Sequence, residues 1–293
     1  MKLTMSHTVP LAAITALAIL DPQAARAQGR PTLPDRDAPA VATLQSEAAG
    51  KLLHYGTPVS LGEGQVRTYV VLDEESGDRP LEVGVAIDAR TIEGRLPDEM
   101  IWIPMELPYN APEPYRFVLF DWNPQGHIPE GVYDVPHFDF HFYLTPHAEV
   151  EAIRREDPDF ARKANNLPTG DFVPPHYIVP APPDVEPAAL AEPGMGLHWE
   201  DSRDPQIQRL LGNPEAYKPF TRTMIYGSWD GEITFIEPMI TREYLLRRTD
   251  ETIPIPQPAR YPRPGWYPAA YRISYDAQAR VYRVAIVDFT WRN

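Results

Sequence analysis

Pro136-His137-Phe138-Asp139-Phe140-His141-Phe142-Tyr143 is the stretch on which the fold of this chain turns. In a β-strand, successive side chains point to opposite faces. His137, Asp139 and His141 then share one face, and Phe138, Phe140 and Phe142 share the other. The aromatic face has the composition of a core layer. The polar face sets two imidazoles and a carboxylate beside that core, and a buried carboxylate without a partner costs several kcal/mol. A divalent cation could serve all three groups. The competing reading is a pair of core histidines bonded to Asp139 and to the backbone.

Working outward, the neighbouring segments also read as strands. Gly64 to Leu72 and Pro80 to Ile87 flank a polar turn and form a hairpin. Met100 to Leu107 and Tyr115 to Trp122 follow. Thr223 to Gly227 and Ile233 to Met239 flank Trp229-Asp230-Gly231-Glu232, and Asp-Gly between apolar runs is a strong hairpin signal. Tyr271 to Tyr275 and Arg280 to Trp291 close the chain, the last strand apolar on both faces and therefore central. Short helices are expected over 42–54, 145–156, 157–164, 204–212 and 241–248. Proline-rich loops occupy 121–136, 165–193 and 254–268. The expected fold is mainly β, an antiparallel barrel or sandwich with a few short helices and long loops, in one domain over 42–293.

The 293 residues include 35 prolines and 17 glycines at 43% hydrophobic content, which describes a globular chain broken into short elements. Residues 1–27 read as a signal peptide: Lys2, an apolar run from Val9 to Leu20, and a small-x-small site at Ala25-Arg26-Ala27. Residues 28–41 read as a disordered lead-in. The expected location is periplasmic or secreted. No later stretch reaches the length of a membrane span, so no membrane insertion is expected. Cysteine is absent, which removes thiolate nucleophiles and sulfur-held metals. A net charge of −14 argues against nucleic acid as a partner.

Three further positions join the central triplet as candidate ligands. His198 leaves a glycine-rich turn, Pro193-Gly194-Met195-Gly196-Leu197-His198-Trp199, that lets the backbone approach a neighbour closely. Its alternative is a surface imidazole stacked on Trp199. Glu237 is a carboxylate on the apolar face of Ile233, Phe235 and Met239. It reads as a ligand, a general base, or a partner of Arg222 or Arg242. His127 sits in the loop just before the central strand and reads as a ligand or as an exposed loop residue. The metal set is thus His137, His141, His198, Asp139 and His127, with Glu237 as the catalytic candidate. Nitrogen and oxygen donors without sulfur suit zinc, iron or manganese. No phosphate loop, nucleophile elbow or His-Glu-x-x-His is present.

The run from Gly126-His127 to Tyr143, together with Gly194-Met195-Gly196-Leu197-His198-Trp199 and the segment from Tyr226 to Thr241, resembles a family of exported bacterial proteins classed as a domain of unknown function. The founding structure of that family is a Thermus protein under envelope-stress sigma-factor control. The resemblance covers about residues 50–250. It implies a mostly β fold and a ring-like homo-oligomer, and it implies no activity.

Three functions fit. One is a metal-dependent enzyme acting on a small molecule, with His137, His141 and His198 as ligands and Tyr133, Trp199 and Tyr226 around the pocket. Another is a non-catalytic envelope-stress or ligand-binding protein with a closed structural metal. The third is an assembly protein whose histidines form only a buried network.

Overall fold

The computed structural model of the chain describes residues 50–182 and 184–293. All of these lie in one compact unit, 32–293. The expected signal peptide, the lead-in and residues 42–49 of the first expected helix fall outside the described residues.

Strands are the main regular element of the described chain: β1 (Lys51–Tyr55), β2 (Val59–Leu61), β3 (Gly64–Asp73), β4 (Pro80–Asp88), β5 (Ile101–Glu106), β6 (Phe117–Asn123), β7 (His137–Tyr143), β8 (Tyr177–Ile178), β9 (Leu197–Asp201), β10 (Arg222–Trp229), β11 (Glu232–Thr241), β12 (Glu251–Pro254), β13 (Gly265–Asp276) and β14 (Val281–Arg292). Four short helices are α1 (Ala89–Glu93), α2 (His147–Glu151), α3 (Phe160–Asn165) and α4 (Arg242–Leu246).

The strands form two antiparallel sheets. One runs β1-β3-β4-β14-β13-β12 with β2 alongside β3, and the other runs β5-β6-β7-β11-β10-β9-β8. Neither closes on itself, so the architecture is a sandwich rather than a barrel. Val70, Val85, Val284 and Ile286 of the first sheet pack against Val118, Phe120, Phe138, Phe140 and Phe142 of the second. Each fully buried side chain of this size stabilises the fold by about 1.5–3 kcal/mol. β14 lies between β4 and β13, as its two apolar faces predict. Ile286 joins the inter-sheet core, while Ala285 and Val287 pack under Leu53 and Tyr55.

Several boundaries differ from the sequence reading. Residues 51–55 form a strand where a helix is expected, because pairing with β3 buries Leu53 and Tyr55. α2 begins two residues after Thr145 and ends at Glu151, and the 204–212 helix reduces to a 3-10 turn, Pro205–Ile207. Helices this short have little intrinsic stability and persist where an apolar side docks. Val150 anchors α2, while Tyr244 and Leu245 anchor α4. The proline-rich stretch 165–193 contributes β8, which pairs with β9 at the edge of the second sheet. Among the described residues no helix is long and apolar enough to cross a membrane.

Candidate metal centre

The site lies on the face of the second sheet that points away from the first. Phe138, Phe140 and Phe142 face the inter-sheet core, so the odd-numbered residues of β7 face outward. Residues directly opposite in an antiparallel pair share a face. β6 therefore adds Asp121 opposite Asp139 and Asn123 opposite His137. β11 adds Met239 opposite Asp139, and with it Glu237 two residues earlier. β10 places Gly227 opposite His198 of β9, which brings Glu200 onto the same face. Period-2 alternation in five strands thus gathers three carboxylates beyond Asp139, and every one is buried.

An outward sheet face is buried only if something covers it. The loop before β7 folds back over one end, with His127 bridging Tyr133. Tyr133 packs there with Phe220, Ile207, Ile225 and Met239. Met195 and Val150, packed with Phe235 of β11, cover the other end. Between them is a cavity of about 280 Å³, floored by Asp121, Asp139, His141, Glu200 and Glu237 and walled by Trp102, Ile128, Met195 and Met239. Its lining includes no lysine or arginine among the described residues. Imidazoles are the only side chains there that could balance the carboxylates.

The six candidate residues come together, but in two groups. His141, His198 and Glu237 each offer one donor atom, all within 4.8 Å of one another. His127, His137 and Asp139 do the same. His137 therefore does not join His141 and His198, as the sequence reading had it. It lies four residues before His141 on the strand and aims at Asp139.

In the first group, His141 Nε2 lies 3.3 Å from Glu237 Oε1, and His198 Nε2 lies 3.8 Å from Oε2. His141 Nδ1 is 3.2 Å from the Leu119 carbonyl. A carbonyl only accepts, so Nδ1 carries the hydrogen and Nε2 presents its lone pair to the site. Glu237 Oε2 has no hydrogen-bond partner among the described residues. Burial, then the charges of Asp139, Asp121 and Glu200, push the Glu237 carboxyl well above its usual range. Burial also lowers His141 to about 4 and His198 to about 3. Burial thus favours the uncharged form of both imidazoles and of the Glu237 carboxyl that lies beside His141. Arg222 and Arg242, the alternative partners for Glu237, are engaged elsewhere: Arg222 pairs with Glu251, and Arg242 donates to the Ile92 and Gly94 carbonyls.

Phe235 lies edge-on to both imidazoles, with ring centroids 5.0 Å from His141 and 5.3 Å from His198. It fits only because Gly227 faces it. A Cβ on Gly227 would sit 2.0 Å from the Phe235 ring. Gly196 has a φ of 102° and a Cβ there would meet the Ser228 carbonyl at 2.3 Å, so the turn that delivers His198 requires glycine.

In the second group, Asp139 is held at about 2. Burial alone would raise it, and the imidazoles of His137 and His127 outweigh that. Asn123 donates to its Oδ2 at 2.6 Å. Glu200, buried on the same floor, accepts from the Tyr133 hydroxyl at 2.5 Å, and burial raises it to about 7.

Some expected participants are elsewhere. Trp199 and Tyr226 belong to the inter-sheet core, because each is one residue out of phase with the site face. Two histidines outside the candidate set also lie apart from it: His176 is exposed, and His54 is on β1 of the other sheet. The sequence reading did not single out Asp121, Asn123 or Glu200. Each repeats the signal that marks Asp139, a polar residue at alternate positions of an apolar strand: Leu119-Asp121-Asn123 in β6 and His198-Glu200 in β9. No family model, no curated protein and no solved structure matches the chain.

Proposed function

We propose that this chain is an exported metalloprotein. His141, His198 and Glu237 bind one divalent transition-metal cation and leave a coordination position open to the cavity, where a small molecule reacts. One observation carries this reading: three nitrogen and oxygen donors within 4.8 Å at the floor of a cavity, with one imidazole already oriented by a backbone carbonyl. Metal-bound histidines characteristically donate their other N–H to a carbonyl or carboxylate in this way. The His141–Glu237 separation of 3.3 Å equals the donor–donor edge of a tetrahedron, about 3.3 Å for bonds of ~2.0–2.1 Å.

Two histidines, one carboxylate and an open position suit zinc, iron or manganese in a catalytic rather than a closed site. A cation there would lower the pKa of bound water or polarise a carbonyl. The chain's own residues supply the rest. Glu237 would hold the cation as a carboxylate. Glu200, bonded by Tyr133, is placed on the floor to take or give a proton. The apolar walls exclude water and favour an uncharged substrate. The signal-peptide pattern of residues 1–27 and the resemblance to exported bacterial proteins support export.

Metal analysis of protein made without a polyhistidine tag tests the reading. After zinc reconstitution, Glu237→Gln should hold one ion fewer than the parent while keeping its circular dichroism. A parent that takes up no ion would refute it. The second reading is a non-catalytic envelope protein that uses the same groups as a buried hydrogen-bond network. What favours it is the contact between Glu237 and His141, whose other ring nitrogen donates to the Leu119 carbonyl.

A further inference from the structure

The second group presents a conflict that its own atoms do not resolve. His137 Nδ1 lies 2.7 Å from the Val135 carbonyl, and His127 Nδ1 lies 2.7 Å from the Ile128 carbonyl. Both imidazoles therefore carry hydrogen at Nδ1 and aim Nε2 at Asp139, His137 at 3.2 Å from Oδ1 and His127 at 3.4 Å from Oδ2. Were both imidazoles neutral, each Nε2 would meet the carboxylate acceptor to acceptor, and lone pairs repel at this distance. His137 Nε2 and Asp139 Oδ1 are both buried with no hydrogen-bond partner among the described residues. The His137 side chain is 0% exposed and that of Asp139 4%. One protonated imidazole would satisfy one of the two contacts and leave the other opposed.

A cation bound by all three residues satisfies both contacts at once. The separations of 3.2 and 3.4 Å bracket the tetrahedral edge of about 3.3 Å set by ~2.0–2.1 Å bonds. Asn123 already orients the carboxylate by donating to Oδ2, and the two carbonyls orient the imidazoles, the outer shell that metal sites use. Two imidazoles and one carboxylate select a zinc-like ion over calcium or magnesium, which prefer oxygen throughout.

We infer that His127, His137 and Asp139 form a second divalent-cation site, so that the cavity is built to hold two zinc-like ions on donor sets that share no residue. Both sets hang from β7. Asp139 and His141 are neighbours on one face of that strand, about 6.7 Å apart at Cα. Each ion therefore has its own carboxylate, Asp139 for one and Glu237 for the other. His137 is sealed behind Phe220, with ring centroids 5.4 Å apart, so the second ion enters through the cavity past His127.

Zinc stoichiometry separates this inference from the one before it. The untagged full chain is stripped with chelator, reloaded with zinc and desalted, and bound metal is counted for the parent, Asp139→Asn and Glu237→Gln. Two ions in the parent and one in each variant are expected, with the double variant holding none. A parent with one ion, lost in Glu237→Gln and kept in Asp139→Asn, would overturn the second site and leave the first standing. One ion lost in Asp139→Asn and kept in Glu237→Gln would uphold the second site and remove the first. One ion lost in either variant would mean a single shared site and overturn the inference. If Asp139→Asn fails to fold by circular dichroism, His127→Gln, in the covering loop, replaces it with the same expected loss of one ion.

Discussion

The buried imidazole of His141 makes acid stability of the metal-free protein a sharp test. The residue is 1% exposed, and burial lowers its pKa from the ordinary 6.5 to about 4. The sign follows from proton counting. Between pH 6.5 and 4 the unfolded chain takes up a proton at this residue and the folded chain does not, so acidification favours unfolding. The stabilisation is fully present above pH 6.5 and is lost as pH falls to about 4. A shift from 6.5 to about 4 corresponds to about 3 kcal/mol. Urea denaturation of the chelated parent and of His141→Gln at pH 7 and pH 4 isolates the contribution. Glutamine keeps a side-chain amide near the Leu119 carbonyl and cannot titrate. His198 acidifies in both proteins and largely cancels in the comparison. The stability difference between pH 7 and pH 4 should be smaller in the variant by about 3 kcal/mol, with an unchanged dependence on denaturant. Equal acid losses in the two proteins would refute the reasoning, because His141 would then titrate as an exposed imidazole.

Other expectations follow from the same geometry. Burial, then the charges of Asp139, Asp121 and Glu200, raise the Glu237 carboxyl in the folded metal-free protein, so the stability it costs grows as pH rises above the ordinary carboxyl range. Metal-free Glu237→Gln should therefore unfold at a higher temperature than the parent at pH 7, and a lower midpoint would contradict this. Loading the His141 site favours the ionised Glu237 carboxylate, so calorimetry in buffers of different ionisation enthalpy should show protons released on binding there. Asp139, already ionised, should release none. Gly227→Ala drives a Cβ into Phe235 and should destabilise the fold by about 1–3 kcal/mol, measured by urea unfolding. It should also weaken metal binding, since Phe235 packs on both His141 and His198. Tyr133→Phe removes the donor to buried Glu200 and should cost about 1–3 kcal/mol at neutral pH. A neutral effect there would mean that Glu200 finds another donor.

The strands were legible because their signal is local. Alternation in His137–Tyr143, the Asp230-Gly231 turn and the doubly apolar β14 each depend on a few consecutive residues, and each appears in the structure. The helices were less legible: the chain from 204 to 212 has a cap and a proline start, yet makes only one 3-10 turn because little of it docks. Residues 51–54 read as helix by spacing and became strand through β3, a partner remote from any local window.

The candidate site divides in the same way. The residue types and the face they occupy follow from the sequence alone, because a strand has only two faces and a carboxylate among apolar residues marks one of them. Which imidazole meets which carboxylate does not follow. That is set by register between β6, β7, β11, β10 and β9, which places Glu237 beside His141 and leaves His137 to Asp139 and His127. The cover that buries these groups comes from loops outside the sheet. Burial and register are properties of pairs of segments brought together from far apart in the chain, and only the folded arrangement supplies them.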